Sequence, residues 1–138
     1  MVEINNTSLK YRNIDKNFLK KVAERALKKE CPGKIAELSV ALVNPEEIRM
    51  LNKKYRKKDK PTDVLSFGNL KEEMPEIIIC PEEVKKNAGE SGELFKKELA
   101  KVLIHGILHL SGYDHEKTEK EAKKMFAKQE EYLSKINL

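Results

Sequence analysis

All three histidines of the chain fall within eleven residues, His105-Gly-Ile-Leu-His109-Leu-Ser-Gly112-Tyr-Asp-His115. On a helix, His105 and His109 lie one turn apart on the same face, with Cβ atoms about 5–6 Å apart, so both imidazoles can reach one cation. A continuing helix would turn His115 away from that face. Gly112 is placed to adopt a positive φ and bring the chain back, which makes His115 a third ligand. Three neutral imidazoles suit one Zn²⁺ ion and leave its fourth position open for water or substrate, the arrangement of a reactive centre rather than a structural one. Lone helical histidines are usually packed or hydrogen-bonded residues. Chance scatter of three among 138 positions rarely produces this spacing.

The spacing also matches the metzincin protease pattern His-Glu-x-x-His-x-x-Gly-x-x-His, except that the position of the glutamate base is Gly106. A glycine takes no proton, so zinc proteolysis is disfavoured. Asp114 and Glu116 flank the third histidine; they could substitute as base only if the turn aimed them, and are read instead as hydrogen-bond acceptors or solvated charges.

A second cluster lies upstream, where six of the eight residues from Lys53 to Lys60 are Lys or Arg. Lys53, Lys54, Lys57, Lys58 and Lys60 can be a solvated helix end complementing the helix dipole, or contacts to a nucleic-acid backbone. Arg56 is one of four arginines among 28 basic residues. Its guanidinium can fork onto a phosphate where an ammonium cannot, so Arg56 is the candidate catalytic contact, with a structural ion pair as the alternative. A metal that activates water beside a basic patch points to phosphodiester hydrolysis. Few aromatic residues lie near these motifs (Tyr55, Phe67, Phe95 and Tyr113), so sequence-specific base stacking is not indicated.

The elements that must position these groups follow from periodicity. Val2 to Asn5, the alternating Glu37 to Val43, Val64 to Phe67, and Ile77 to Cys80 read as strands. Helices are expected from Lys16 to Glu30 behind Asp15, from Pro45 with Asn44 as cap and Glu47 completing a capping box, and from Pro81 to Ala88. The apolar run Glu93 to Leu110 carries the first two histidines, and a last helix from Thr118 is expected to bury Ala122, Met125, Phe126, Leu133 and Ile136. Ile48, Leu51, Asn52 and Tyr55 are expected on the inner face of the helix that follows Pro45. The class is α+β, or a three-layer α/β, with a mixed sheet of about four strands in one domain over residues 1–138.

Composition bounds the rest. Charged residues make up 37% of the chain against 39% hydrophobic, the net charge is +5, and the pI is near 9.1. That balance suits a phosphate-bearing partner. No stretch approaches the roughly 18 apolar residues of a membrane span, and the opening residues carry neither a basic start nor an apolar run, so no membrane or secretory role is expected. Two cysteines are too few for a disulfide scaffold, and a cytoplasmic setting is expected. Glutamine occurs once, at Gln129, in a chain dominated by Lys and Glu.

The histidine motif, together with Tyr55-Arg-x-Lys-Asp-x-Pro-Thr-Asp-Val-Leu-Ser-Phe67, resembles the YbeY family of bacterial rRNA maturation endoribonucleases. The resemblance covers nearly the whole chain. It implies a central mixed sheet with flanking helices, a zinc ion on His105, His109 and His115, and Arg56 as the arginine associated with activity. It implies a single-strand-specific RNase acting on 16S rRNA 3′ ends and in ribosome quality control. One departure is Met74-Pro-Glu76-Ile, where the family commonly has Leu-Gly-Asp-Ile. The competing readings are a zinc metallopeptidase and a non-catalytic, ribosome-associated rRNA-binding factor. The sequence leaves open the oligomeric state, the native metal, the general base and nucleophile, and the roles of Glu76, Asp114 and Cys80.

Overall fold

The computed structural model describes residues 1–33, 37–71 and 74–138. Nine elements follow one another along the described residues: β1 (Val2–Asn6), α1 (Lys16–Glu30), β2 (Leu38–Leu42), α2 (Pro45–Arg56), β3 (Val64–Phe67), β4 (Glu76–Ile79), α3 (Pro81–Ser91), α4 (Phe95–Leu110) and α5 (Glu119–Ser134). The four strands form one mixed sheet in the order β1-β2-β4-β3. β1, β2 and β4 run parallel, and β3 pairs antiparallel with β4, Leu65 opposite Ile78. The fold is α+β with helices on both faces of the sheet. The charged loop expected before the last strand includes Glu72 and Glu73, which lie outside the described residues.

Strand alternation sorts side chains between two cores. Leu38, Val40 and Leu42 of β2 and Ile77 and Ile79 of β4 face the larger core, against buried residues of α1, α3, α4 and α5. Val43, Leu65, Ile78 and Cys80 face the other way, onto Ile48 and Leu51 of α2. Ten of the 16 residues of α4 are buried, including Leu103, Ile104, Ile107 and Leu108. Each fully buried Leu or Ile contributes about 1.5–3 kcal/mol. α4 is therefore held along its length, and side chains on its one open stripe sit on a rigid base.

The helix starts are made by different chemistry than their sequences propose in one case. Asp15 accepts from the Phe18 amide and Thr118 from the Glu121 amide, as expected of N-caps. Asn44 does not cap α2 with its side chain. Its Oδ1 instead accepts from the Leu9 amide at 2.9 Å, and its Nδ2 donates to the Thr7 carbonyl at 3.5 Å, tying the loop after β1 to the start of α2. Two aromatic residues assigned to buried faces are exposed: Tyr55 at 57% and Phe126 at 48%. Ala122 and Ile136 are only partly covered. The buried face of α5 is instead Met125, Gln129, Tyr132 and Leu133, and the Tyr132 hydroxyl donates to Glu30 of α1.

Gly106 explains how closely α4 can lie on the sheet. A Cβ at this position would sit 3.0 Å from Ile77 Cδ1, 3.2 Å from Ile77 Cγ2 and 3.1 Å from Ser66 Oγ. Ser66 Oγ also donates to the Gly106 carbonyl at 3.3 Å. Ile77 is fully buried on an inner strand, so it has little room to yield. Gly106→Ala gains up to about 1 kcal/mol of helix propensity but loses about 1–3 kcal/mol to overpacking. We expect a net loss of about 1 kcal/mol in urea denaturation. Gly106→Glu, which restores the protease residue, is expected to lose more than about 3 kcal/mol, because it also buries a charge.

Candidate metal centre

The end of α4 delivers the third histidine. Ser111 caps the helix, Gly112 takes φ 103°, and the Tyr113 amide donates back to the Leu108 carbonyl at 3.1 Å while the Gly112 amide donates to the His109 carbonyl at 3.0 Å. This is the paired bonding of a Schellman turn, in which glycine tolerates the left-handed residue. Tyr113 packs against the larger core and fixes the exit direction. Asp114 Oδ1 then accepts from the Glu116 amide at 2.9 Å, an Asx turn that carries His115 back over the helix.

The three rings meet. Their centroids are 4.7, 5.0 and 4.9 Å apart for the pairs 105–109, 105–115 and 109–115. One ring nitrogen from each lies within 4.8 Å of the others. His105 Nε2 and His109 Nε2 are 3.2 Å apart. Two nitrogens bound to one tetrahedral zinc at about 2.05 Å stand about 3.3 Å apart, so this pair already has the spacing of a shared cation.

The electrostatics favour a cation. His105 Nδ1 donates to Gln129 Oε1 at 2.9 Å. That bond fixes the tautomer and leaves a lone pair on Nε2, pointing at His109. Burial is the main cause lowering the His105 pKa, and burial, then the neighbouring His105 and His115, lowers His109 to about 4. Both rings are neutral at pH 7 and need lose no proton to bind a metal. His115 Nδ1 is buried with no hydrogen-bond partner. Facing lone pairs and an orphaned ring nitrogen are what a bound divalent ion would satisfy. The donor set therefore fits a metal.

The triad lies in a cleft of about 1070 Å³ walled by α2, β3, α3, α4 and α5. Arg56 lines it, with Nη2 at 3.4 Å from Glu116 Oε1. The Arg56 side chain is 40% exposed and that of Glu116 63%, so the pair is worth at most about 1 kcal/mol. The five upstream lysines do not line the cleft. Lys53 faces Asp59 at 3.9 Å, Lys54 lies over the Tyr55 ring, Lys57 is the left-handed C-cap of α2, and Lys58 and Lys60 are exposed in the following loop. Asn52 fastens that loop by donating to the Lys60 carbonyl at 2.9 Å.

Sequence reasoning missed several cleft residues. Gln129 stands 24 positions beyond His105, and its being the only glutamine was the one available signal. Asp63 also lines the cleft, accepting from Asn87 Nδ2 at 3.5 Å, and so do Lys101 and Lys117. Lys101 is paired at 3.3 Å with the buried carboxylate of Glu98. Glu76, whose side chain the sequence left without a role, starts β4 exposed and outside the cleft.

Residues 3–137 match the family model described as endoribonuclease YbeY. The protein named Endoribonuclease YbeY in Thermotoga maritima is 46% identical over 86% of this chain and 78% of its own length. Its namesake in Persephonella marina is 40% identical over 95% and 90%, and that of Aquifex aeolicus 42% over 94% and 89%. A solution structure of a Thermotoga maritima protein superposes with a TM-score of 0.70 at 41% identity, covering 96% of this chain and 87% of that one.

Two outcomes follow from the geometry. Gln129→Leu removes the acceptor for His105 Nδ1, and we expect it to weaken metal binding about 10- to 100-fold in a chelator competition, with the fold retained. The lowered His109 pKa makes the unfolded chain the better proton acceptor between pH 6.5 and about 4. Stability from this residue is present above pH 6.5 and lost as pH falls through that window. Urea denaturation of metal-free protein at pH 7 and pH 5 should show a larger loss for the parent than for His109→Gln.

Proposed function

The chain belongs to the endoribonuclease YbeY family, and from that premise we propose that it is a zinc-dependent endoribonuclease specific for single-stranded RNA. We read residues 1–138 as one cytoplasmic domain acting at the 3′ end of 16S rRNA and in ribosome quality control. The observation that carries this reading is the convergence of three ring nitrogens within 4.8 Å of one another, in the same cleft as Arg56.

His105, His109 and His115 would hold the ion. When bound, a divalent zinc supplies Lewis acidity toward water and phosphoryl oxygen. The rest is the work of the chain. Arg56 is placed to fork onto the scissile phosphate, exchanging its exposed partner Glu116 for the more highly charged ligand. Lys117 adds positive charge to the cleft wall, where Lys101 offsets the buried carboxylate of Glu98. Lys53, Lys54, Lys57, Lys58 and Lys60 sit outside it, where they can track an RNA backbone leading to the cleft. Gln129 keeps His105 in the tautomer that presents Nε2.

Peptide hydrolysis is the reading that the same cage invites. The missing base and the lack of space at Gly106 stand against it. Incubating the protein with unstructured RNA and with casein, each with and without chelator, separates the two. RNA cleavage that stops with chelator, and intact casein, are expected. Chelator-sensitive casein cleavage with intact RNA would reverse the assignment.

His109→Ala is expected to lose the metal and most of the RNase activity while keeping its circular dichroism spectrum. Arg56→Ala is expected to bind RNA and fail to cut it. Equal cleavage by the variant and the parent removes Arg56 from the mechanism. The triple variant Lys57→Ala/Lys58→Ala/Lys60→Ala is expected to weaken RNA binding. Its plot of log K against log salt should be shallower by about 0.7 for each phosphate that a lysine no longer neutralises.

A further inference from the structure

The chain has eight aromatic Phe and Tyr side chains. Among the described residues only two of them, Tyr55 and Phe126, rank as exposed large hydrophobics, at 57% and 48%. Single exposed apolar residues need no explanation. These two share a location, since both line the cleft that holds the histidines. Helical spacing would place each on a buried face, so their exposure does not follow from the pattern of the helices that carry them.

They approach the triad from different elements. Tyr55 lies in the last turn of α2, immediately before Arg56, and its ring rests edge-on against Phe67 of β3 at a centroid distance of 5.1 Å and an angle of 67°. Phe67 thereby holds the Tyr55 ring in place. Lys54 Nζ lies 5.2 Å from the Tyr55 centroid, which adds positive charge beside it. Phe126 projects from α5, its centroid 6.5 Å from that of His115. An aromatic ring thus neighbours the phosphate-binding arginine, and another neighbours a metal-ligating histidine.

We propose that Tyr55 and Phe126 are stacking platforms for unpaired nucleobases flanking the phosphate that Arg56 contacts. The chemistry fits the surroundings. Every base has a π face, and stacking on an aromatic side chain contributes without regard to sequence. A base within a duplex has both faces covered, so platforms of this kind select unpaired RNA by a physical criterion. The inference rests on the endoribonuclease reading and deepens it, because it names the residues that recognise the substrate.

The test uses the full chain loaded with zinc and RNA oligonucleotides carrying a single abasic nucleotide at successive positions around the cleaved bond. In the parent, abasic replacement beside the cleaved phosphate should raise KM by roughly five- to a hundredfold, the range expected for removing one base stack. Tyr55→Leu and Phe126→Leu should each raise KM for intact RNA by a similar factor with little change in kcat. Each should also abolish the abasic penalty at one position. Tyr55→Phe and Phe126→Tyr should restore both. Met50→Ala, at an exposed site of the same helix as Tyr55 but outside the cleft, is the control and should change neither. Thermal melts check that each variant folds. Abasic penalties identical in parent and leucine variants, or absent from a parent that cleaves RNA, would overturn the stacking role and leave the nuclease reading standing. A zinc-loaded parent that neither binds nor cuts RNA would remove both.

Discussion

Three imidazoles share one partly buried space, and most of the molecule is arranged around that fact. Partial burial lowers the pKa of His105 and His109 and keeps those two rings neutral, with their lone pairs available. Neutral rings facing one another at ring-nitrogen contact are poor neighbours without an ion between them, so the surroundings must hold them there. Helix α4 does this by packing ten of its residues into the structure, leaving one stripe for His105 and His109. The turn at Gly112 and the Asx turn at Asp114 fix the return of His115. Gln129 sets the tautomer of His105 from a different helix. Stability and chemistry therefore draw on the same side chains: the core that makes α4 immovable is the reason that the site is preorganised.

The missing protease glutamate takes its meaning from the same packing. Position 106 faces Ile77 and Ser66 at distances that a methyl group would already crowd. The glycine is what allows α4 to rest on strands β3 and β4, where Arg56 and Asp63 line the same cleft as the histidines. A ligand spacing shared with proteases is here built against a sheet in a way that leaves no site for their base. The spacing of ligands identifies a metal cage, and the ground behind the cage decides what chemistry it serves.

Much of this was legible from residue order, because it is written in near neighbours. The i, i+4 histidines, the glycine before the third, the alternation of β2 and the caps at Asp15 and Thr118 are local patterns, and the structure has them. What escaped depends on distant contacts. The bond from His105 to Gln129 spans 24 residues and the contact from Arg56 to Glu116 spans 60. Periodicity identified Tyr55 and Phe126 as lying on inward-looking faces, yet nothing in a helix's own sequence says where its covering ends. Asn44 is a good cap by type, but the loop after β1 offers it other hydrogen-bond partners and it takes those instead.

The order of elements along the chain also orders the assembly of the site. Synthesis delivers Arg56 and Asp63 first and the histidines next. Gln129 and Phe126 arrive with α5, after every other element. Domains generally fold as units, and α5 supplies Met125 and Leu133 to the larger core, so neither the packing behind α4 nor the partner of His105 is in place until the last helix has left the ribosome.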